Sequence, residues 1–306
     1  MTAYYNENNK YCALWLENLI KNKDIVEGVV DSRSLLDVKE GDLQGFLQAH
    51  FFAGIGGWSA ALRLASWPDD CPIWTGSCPC QPFSASGKQK GFNDERHLWP
   101  IWFTLIKQCK PPIIVGEQVS SKPALEWLDA VSTDLEREGY AIGAADLCAA
   151  GIGAPHLRNR LYWVAYLPSA RLERPISWRF QKELSSTSSY SVFSDLANSN
   201  SDRFNRERLL LHQQESRYCP KTSWSSKAGF WDRGIWHLHS DGKKRQIEPE
   251  SFPLVDGVSF KLGSGSSNEG KNRKEMIKAY GNAIVVPLAA TFVSSIMEIL
   301  FNEQSF

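Results

Sequence analysis

The residue best suited to do chemistry is Cys80, in the stretch Gly76-Ser77-Cys78-Pro79-Cys80-Gln81-Pro82-Phe83-Ser84. A short apolar run, Pro72-Ile73-Trp74, precedes it, and a Ser/Gly-rich loop from Ser84 to Gly91 follows. A thiol in a loop after a strand is well placed to act as a nucleophile, because its pKa is already low and open α/β sheets present ligands at the carboxyl ends of their strands. The alternative is a small buried hydrophobe. Glu117 follows the buried run Ile113-Ile114-Val115, which delivers it to the same face as Cys80. Leu157 to Val164 alternates like a strand, with Arg158 and Arg160 on one side and apolar residues on the other, which suits an anionic substrate or a solvated edge. Cys78 and Cys80 lack a second pair or a nearby histidine to complete a zinc site, and the His-x-Glu of the zinc deaminases does not occur. A cysteine hydrolase would need His97 or His156 beside Cys80.

The elements that must position these groups can be read from spacing. Helices are predicted over 11–20, after 57, over 98–109 (ended by Pro111-Pro112), over 124–138 with Leu125, Leu128, Val131 and Leu135 as its apolar face, and over 287–300. Strands are predicted at Ile25–Asp31, 49–52, 72–74, 113–115, 140–150 and 157–164. The glycine-rich turn 54–57 joins a strand to a helix carrying Trp58, where a ligand can approach bare backbone. The 306 residues are 42% apolar and 22% charged, with Lys+Arg 34 against Asp+Glu 34. That suits one large α/β domain with a smaller lobe. Zero net charge gives no sign of a nucleic-acid partner, although Lys243-Lys244-Arg245 and Lys271 to Lys274 are local basic clusters. Seven cysteines with no secretory segment suggest a reducing cytosol, and no apolar run reaches 18 residues, so no membrane span is expected. Periodicity is poor from Pro168 to Lys274, where Arg206–His212 alone suggests a helix and Trp224, Trp231 and Trp236 lie among basic residues.

The Pro79-Cys80-Gln81 tripeptide resembles the catalytic loop of the DNA cytosine-5 methyltransferases. Phe52-Ala53-Gly54-Ile55-Gly56-Gly57, Leu157-Arg158-Asn159-Arg160-Leu161 and Gly281-Asn282-Ala283 resemble further motifs of that family, in the same order. The resemblance is good over roughly 50–166 and 276–296. It implies a Rossmann-like S-adenosylmethionine-dependent α/β sheet with a smaller target-recognition lobe. The domains would be 1–167 (catalytic and cofactor-binding), 168–274 (target recognition) and 275–306 (a helix returning to the catalytic domain, beside strand 49–52). It implies Cys80, Glu117, Arg158 and Arg160 as catalytic residues acting on a flipped-out cytosine. It implies Phe52, Gly54, Gly56, Trp58 and Asn282 as cofactor contacts.

Three departures stand out. The family's Glu-Asn-Val is Glu117-Gln118-Val119 here, and its glutamine two residues before the first arginine is His156. The family also places two acid-bearing strands between the glycine turn and the catalytic loop, where this chain has only about 20 residues. The sequence Glu7, helix 11–20, Val29-Val30-Asp31 has the missing shape. The two strands are therefore expected to be permuted in front of the glycine turn, with Glu7 at the ribose and Asp31 at the adenine. Partners would be double-stranded DNA and, if the enzyme protects DNA, a restriction endonuclease encoded nearby; a cytoplasmic monomer in a bacterial or phage-infected cell is expected. An RNA cytosine-5 methyltransferase and a non-catalytic DNA-binding relative stay open as alternatives.

Overall fold

The computed structural model describes residues 2–79, 98–154, 156–169, 275 and 278–302, and the backbone of 235–238 and 244–247. Cys80 and its loop, His97, the Arg206–His212 segment, Trp224 and Trp231 lie outside the described residues, as does nearly all of the lobe expected over 168–274.

Seven strands form one sheet: β1 (Ala3–Asn6), β2 (Gly28–Asp31), β3 (Gln48–Phe51), β4 (Ile73–Gly76), β5 (Ile113–Val119), β6 (Ala141–Cys148) and β7 (Asn159–Tyr166). Their order is β2-β1-β3-β4-β5-β7-β6. The first five run parallel, and β7 is antiparallel to both β5 and β6. Residues 235–238 and 244–247 form a separate two-stranded hairpin, β8 and β9. The helices are α1 (Lys10–Lys21), α2 (Gly57–Leu64), α3 (Trp99–Cys109), α4 (Lys122–Arg137) and α5 (Val286–Asn302). Strand β1 was not anticipated. It is only four residues long, and its pattern does not separate it from a coil: all four side chains are buried.

Successive residues of a strand face opposite layers. Tyr4 and Phe51 therefore join one core with Trp99, Trp102, Trp127 and Trp163, while Tyr5 joins the other with Trp15, Leu16 and Leu19 of α1. Helix α1 starts cleanly because the Asn9 side chain accepts from the Tyr11 and Cys12 amides. On α4 the expected apolar face is shifted. Leu125 is 55% exposed, and Trp127, absent from the predicted stripe, is buried with Val131 and Leu135. The alternation expected of 157–164 also fails. Leu157 lies before β7 and is 86% exposed, while Tyr162 shares the arginines' parity and is fully buried. The cause is position: β7 pairs on both edges and is covered on both faces.

Helix α5 packs on β7 and on α2, the helix that follows β3 through the glycine turn, with Phe292 5.4 Å from Tyr162. Lys278–Leu300 is apolar and long enough to cross a membrane by length and composition alone, yet 56% of an 18-residue window within it is buried within the protein. Leu288, Val293 and Ile296 are among the buried residues.

A buried polar group sits beneath the sheet. His50 Nδ1 is 2.8 Å from Thr75 Oγ1, and its ring stacks on Tyr5 at 4.8 Å. Tyr5 donates to Val26 O at 2.7 Å and lies 3.0 Å from Ser59 Oγ. Burial pushes the His50 pKa down to about 3. The unfolded chain therefore takes up a proton near pH 6.5 that the folded one refuses until about pH 3. Stability should fall as pH drops between those values, by up to about 1.4 kcal/mol per pH unit, and be flat above them. Urea unfolding of wild type and His50→Asn at pH 7.5 and 5 checks this. The wild type should lose more stability than the variant, and equal losses would show that His50 is not held neutral.

Candidate active site

A cavity of about 400 Å³ opens at the carboxyl ends of β1, β3, β4 and β5, where the parallel strands deliver their loops. Its size suits a small-molecule ligand. Glu7, Phe52, Trp58, Ser77, Glu117 and Asn282 are among the residues that line it.

One half is built from the ends of β1 and β3. Glu7 Oε2 accepts from Gly54 N at 2.8 Å, and Oε1 accepts from Asn9 N at 2.8 Å. One carboxylate thus ties the start of α1 to the glycine turn. Phe52 holds a left-handed φ of 52°, an uncommon and strained conformation for a bulky residue that here sits on the cavity wall. A Cβ on Gly54 would meet nothing closer than Phe52 O at 3.9 Å, so the backbone there is bare toward open space. Gly56 has another task. It caps α2 with φ 81°, it does not line the cavity, and a Cβ there would meet Leu19 Cδ1 at 3.1 Å. Gly57 does line the cavity, and a Cβ on it would come within 2.9 Å of Ile284 Cγ1.

Asp31 is not brought to the cavity. Its carboxylate accepts from Tyr4 Oη at 2.6 Å and from Arg33 Nη2 at 2.6 Å. Burial pushes its pKa up, but Arg33 and Tyr4 outweigh that and hold it below the usual carboxylate range. Ser34 and Leu35, three and four residues on, line the cavity instead. Asn6, also on the wall, fixes that turn by donating to Asp31 O and Arg33 O at 3.3 and 3.0 Å. None of these three was expected, and only the pairing of β1 with β2 reveals them.

The other half joins β4, β5 and β7. Glu117 is buried, and Arg160 Nε donates to its Oε1 at 2.8 Å. Burial raises its pKa; Arg160, Arg158 and the Ser77 hydroxyl pull the other way without cancelling the rise. Gln118 donates its Nε2 to Cys78 O at 3.3 Å and accepts from Val119 N at 3.0 Å. The longer amide thereby braces the root of the loop carrying Cys80. Pro79, the residue before Cys80, lines the same cavity as Glu117. Arg158 donates to Gly281 O at 3.1 Å and Ala283 O at 2.7 Å, which pins the segment bearing Asn282 against β7. His156 is half-buried and does not line the cavity; burial, with Arg158 beside it, pushes its pKa down.

Glu7, Phe52, Gly54, Trp58, Glu117, Arg158, Arg160 and Asn282 therefore share one cavity, and Gly56 and Asp31 stand behind its wall. A seven-strand mixed sheet with its antiparallel β7 inserted between β5 and β6, and a cavity at its carboxyl edge, defines the fold of S-adenosylmethionine-dependent methyltransferases.

The family model for the C-5 cytosine-specific DNA methylases matches residues 62–251. The chain belongs to that family. Among curated proteins it is similar to the type II methyltransferase M.AplI of Arthrospira platensis, 35% identical over 105 residues, 34% of this chain and 30% of that protein. It is 25% identical over 173 residues to the type II methyltransferase M.HhaI of Haemophilus parahaemolyticus, 43% of this chain and 52% of that one. The chain thus spans about a third to a half of the length of these relatives. The solved Dnmt2 methyltransferase of S. pombe aligns with 98% of this chain and 99% of its own, at 16% identity and a TM-score of 0.46.

Proposed function

We propose that this protein methylates C5 of cytosine in duplex DNA, using S-adenosylmethionine. The observation that carries the reading is the buried Glu117 paired with Arg160 at 2.8 Å, on the cavity wall that also holds Pro79, next to Cys80. The type II methyltransferases among its relatives support a role in marking DNA alongside a restriction endonuclease.

The residues of the cavity fit the cofactor: a carboxylate fixed at one end, a bare glycine backbone beside it, and an aromatic wall. Glu7 would hold the ribose hydroxyls, with Phe52, Gly54, Trp58 and Asn282 around the rest. Ser34 and Leu35 would meet the purine, and Asp31 would act behind them by holding their turn. Strands β1 and β2 lie beside β3 although they precede it in the chain, which supports a permuted order of the two acid-bearing strands. The lobe that reads the DNA sequence is assigned to residues 168–274.

Bound S-adenosylmethionine would supply an electrophilic methyl group. The chain's own residues must make C5 a nucleophile. The Cys80 thiolate adds to C6, forming an S–C6 bond, and the ring electrons move toward C5. Glu117 gives its proton to N3 as this happens, so negative charge does not build on the ring. Its raised pKa keeps that proton available. Arg160 holds O2 while it orients Glu117, and Arg158 fixes the Asn282 segment. With the methyl group on C5, the C5 proton leaves to water or hydroxide, the S–C6 bond breaks, and N3 returns its proton. The ring must be approached from both faces and its edge, so the base is flipped from the helix.

Transfer of labelled methyl groups to duplex DNA and to RNA, followed by bisulfite sequencing of the DNA, tests the reading. Labelled RNA with unlabelled DNA would reject it. Glu7→Ala should weaken S-adenosylmethionine binding by about 1–2 kcal/mol, five- to thirtyfold, since a charge-assisted hydrogen bond is lost. Calorimetry giving the wild-type affinity would remove Glu7 from the cofactor site.

A further inference from the structure

Ser77 is the first residue after β4, and the register places it beside Glu117. Gly76 pairs with Gly116 across β4 and β5, so the next residues along these parallel strands are Ser77 and Glu117. The glycine pair faces the opposite layer. A Cβ on Gly76 would come within 2.5 Å of Trp102 Cη2, and one on Gly116 within 2.5 Å of Trp163 Nε1. Since side chains alternate along a strand, those two indoles leave Ser77 and Glu117 together on the cavity face. Both line the cavity. On its other side, Ser77 Oγ accepts from Trp58 Nε1 at 3.1 Å. Trp58 is a residue of α2, directly after the glycine turn.

We propose that Ser77 is a positioning residue that locks the Glu117 carboxyl to the Trp58 wall, so that the acid and the cofactor side of the cavity are held as one unit. The donor count fixes the direction of the chain. An indole N–H only donates, whereas a hydroxyl has one proton and two lone pairs. Trp58 fills one lone pair, and the Ser77 proton goes to the carboxylate. Arg160 Nε donates to Oε1 of the same carboxylate. Hydrogen bonds to the charged form lower a carboxyl pKa, so Ser77 and Arg160 restrain the rise that burial imposes. Trp58 is itself fixed by an edge contact with Tyr162, their ring centres 6.0 Å apart. The inference rests on the methyltransferase reading for its catalytic consequence, and not for its geometry.

The test has one arm that needs no substrate. In the full chain labelled with [15N]tryptophan, the indole N–H signal of Trp58 is assigned by its loss in Trp58→Phe and followed across pH. It should titrate with Glu117 in wild type, be flat in Glu117→Gln, and move upfield and become flat in Ser77→Ala. Ser77→Thr should restore the wild-type behaviour. A signal unmoved by Ser77→Ala, or one that titrates equally in Glu117→Gln, would overturn the proposal. If Ser77→Ala does not fold, the comparison of wild type with Glu117→Gln decides alone.

In the second arm, Ser77→Ala should lower kcat about tenfold, the scale of one hydrogen bond to a charged group, with KM for S-adenosylmethionine within about twofold. The alkaline limb of its pH profile should move to higher pH, because the lost hydrogen bond favoured the ionised acid. An unchanged limb with unchanged kcat would count against Ser77. A wild-type protein that methylates no nucleic acid would remove the functional reading and leave the spectroscopic result standing.

Discussion

Glu117→Gln should lower kcat for methyl transfer by about 10²–10⁴-fold, the usual range for removing a general acid, with S-adenosylmethionine affinity unchanged. The substitution is close to isosteric. Its amide oxygen can still accept from Arg160, so the guanidinium keeps a partner. What is lost is a group able to give a proton to N3. Burial raises the Glu117 pKa and so keeps the carboxyl closer to its protonated form than an exposed glutamate would be. Above its folded pKa the wild-type rate should decline for the same reason. Removing the side chain in Glu117→Ala would take the partner from Arg160 and leave a gap in the cavity wall, which makes it the poorer test. Steady-state kinetics with calorimetry of the cofactor separates chemistry from binding. A kcat within threefold of wild type would exclude Glu117 as the acid.

Cys80→Ala should abolish methylation altogether, by more than about 10⁴-fold on the scale set by loss of a covalent nucleophile. Cys80 is the group assigned to the bond to C6, and an uncatalysed C5 does not attack a methyl donor. Cofactor binding should stay within about twofold, because the contacts assigned to the cofactor come from Glu7 and the glycine turn. Trapping offers a second readout. DNA carrying a cytosine analogue that cannot lose its C5 substituent should become covalently attached to wild type and not to the variant. Turnover within tenfold of wild type would reject Cys80. The two variants are not expected to combine additively, since thiolate attack and proton delivery belong to one step.

The residues proposed to carry the chemistry were legible because each belongs to a short, distinctive stretch. Pro79-Cys80-Gln81, the glycine turn and the two arginines declare themselves by type and spacing, and the helices by their period. Glu7 was legible only in combination with the helix and strand that follow it. Its bond to Gly54, 47 residues away, follows from β1 lying beside β3. The roles that came out otherwise were those set by a neighbour. Asp31 was expected at the purine, and Tyr4 and Arg33 take its carboxylate. Gly56 was expected at the ligand, and α1 packs against it. Arg158 was expected among the catalytic residues, and it holds two carbonyls of the returning C-terminal segment.

By itself the sequence determined which groups can act: a thiol, an acid, two guanidiniums and a bare backbone turn, on a chain patterned for an α/β sheet. Residue type and local period suffice for that, because side-chain chemistry and hydrophobic alternation are properties of a few adjacent residues. Only the tertiary structure decided which groups meet. Ser77 carries no motif, yet it touches Trp58, and the facing glycines at 76 and 116 give the opposite layer room for two tryptophans. Such meetings depend on which strands are neighbours and on which face a side chain leaves the sheet. A one-residue change of register would reverse the second, so the partner of each group is fixed by the assembled sheet.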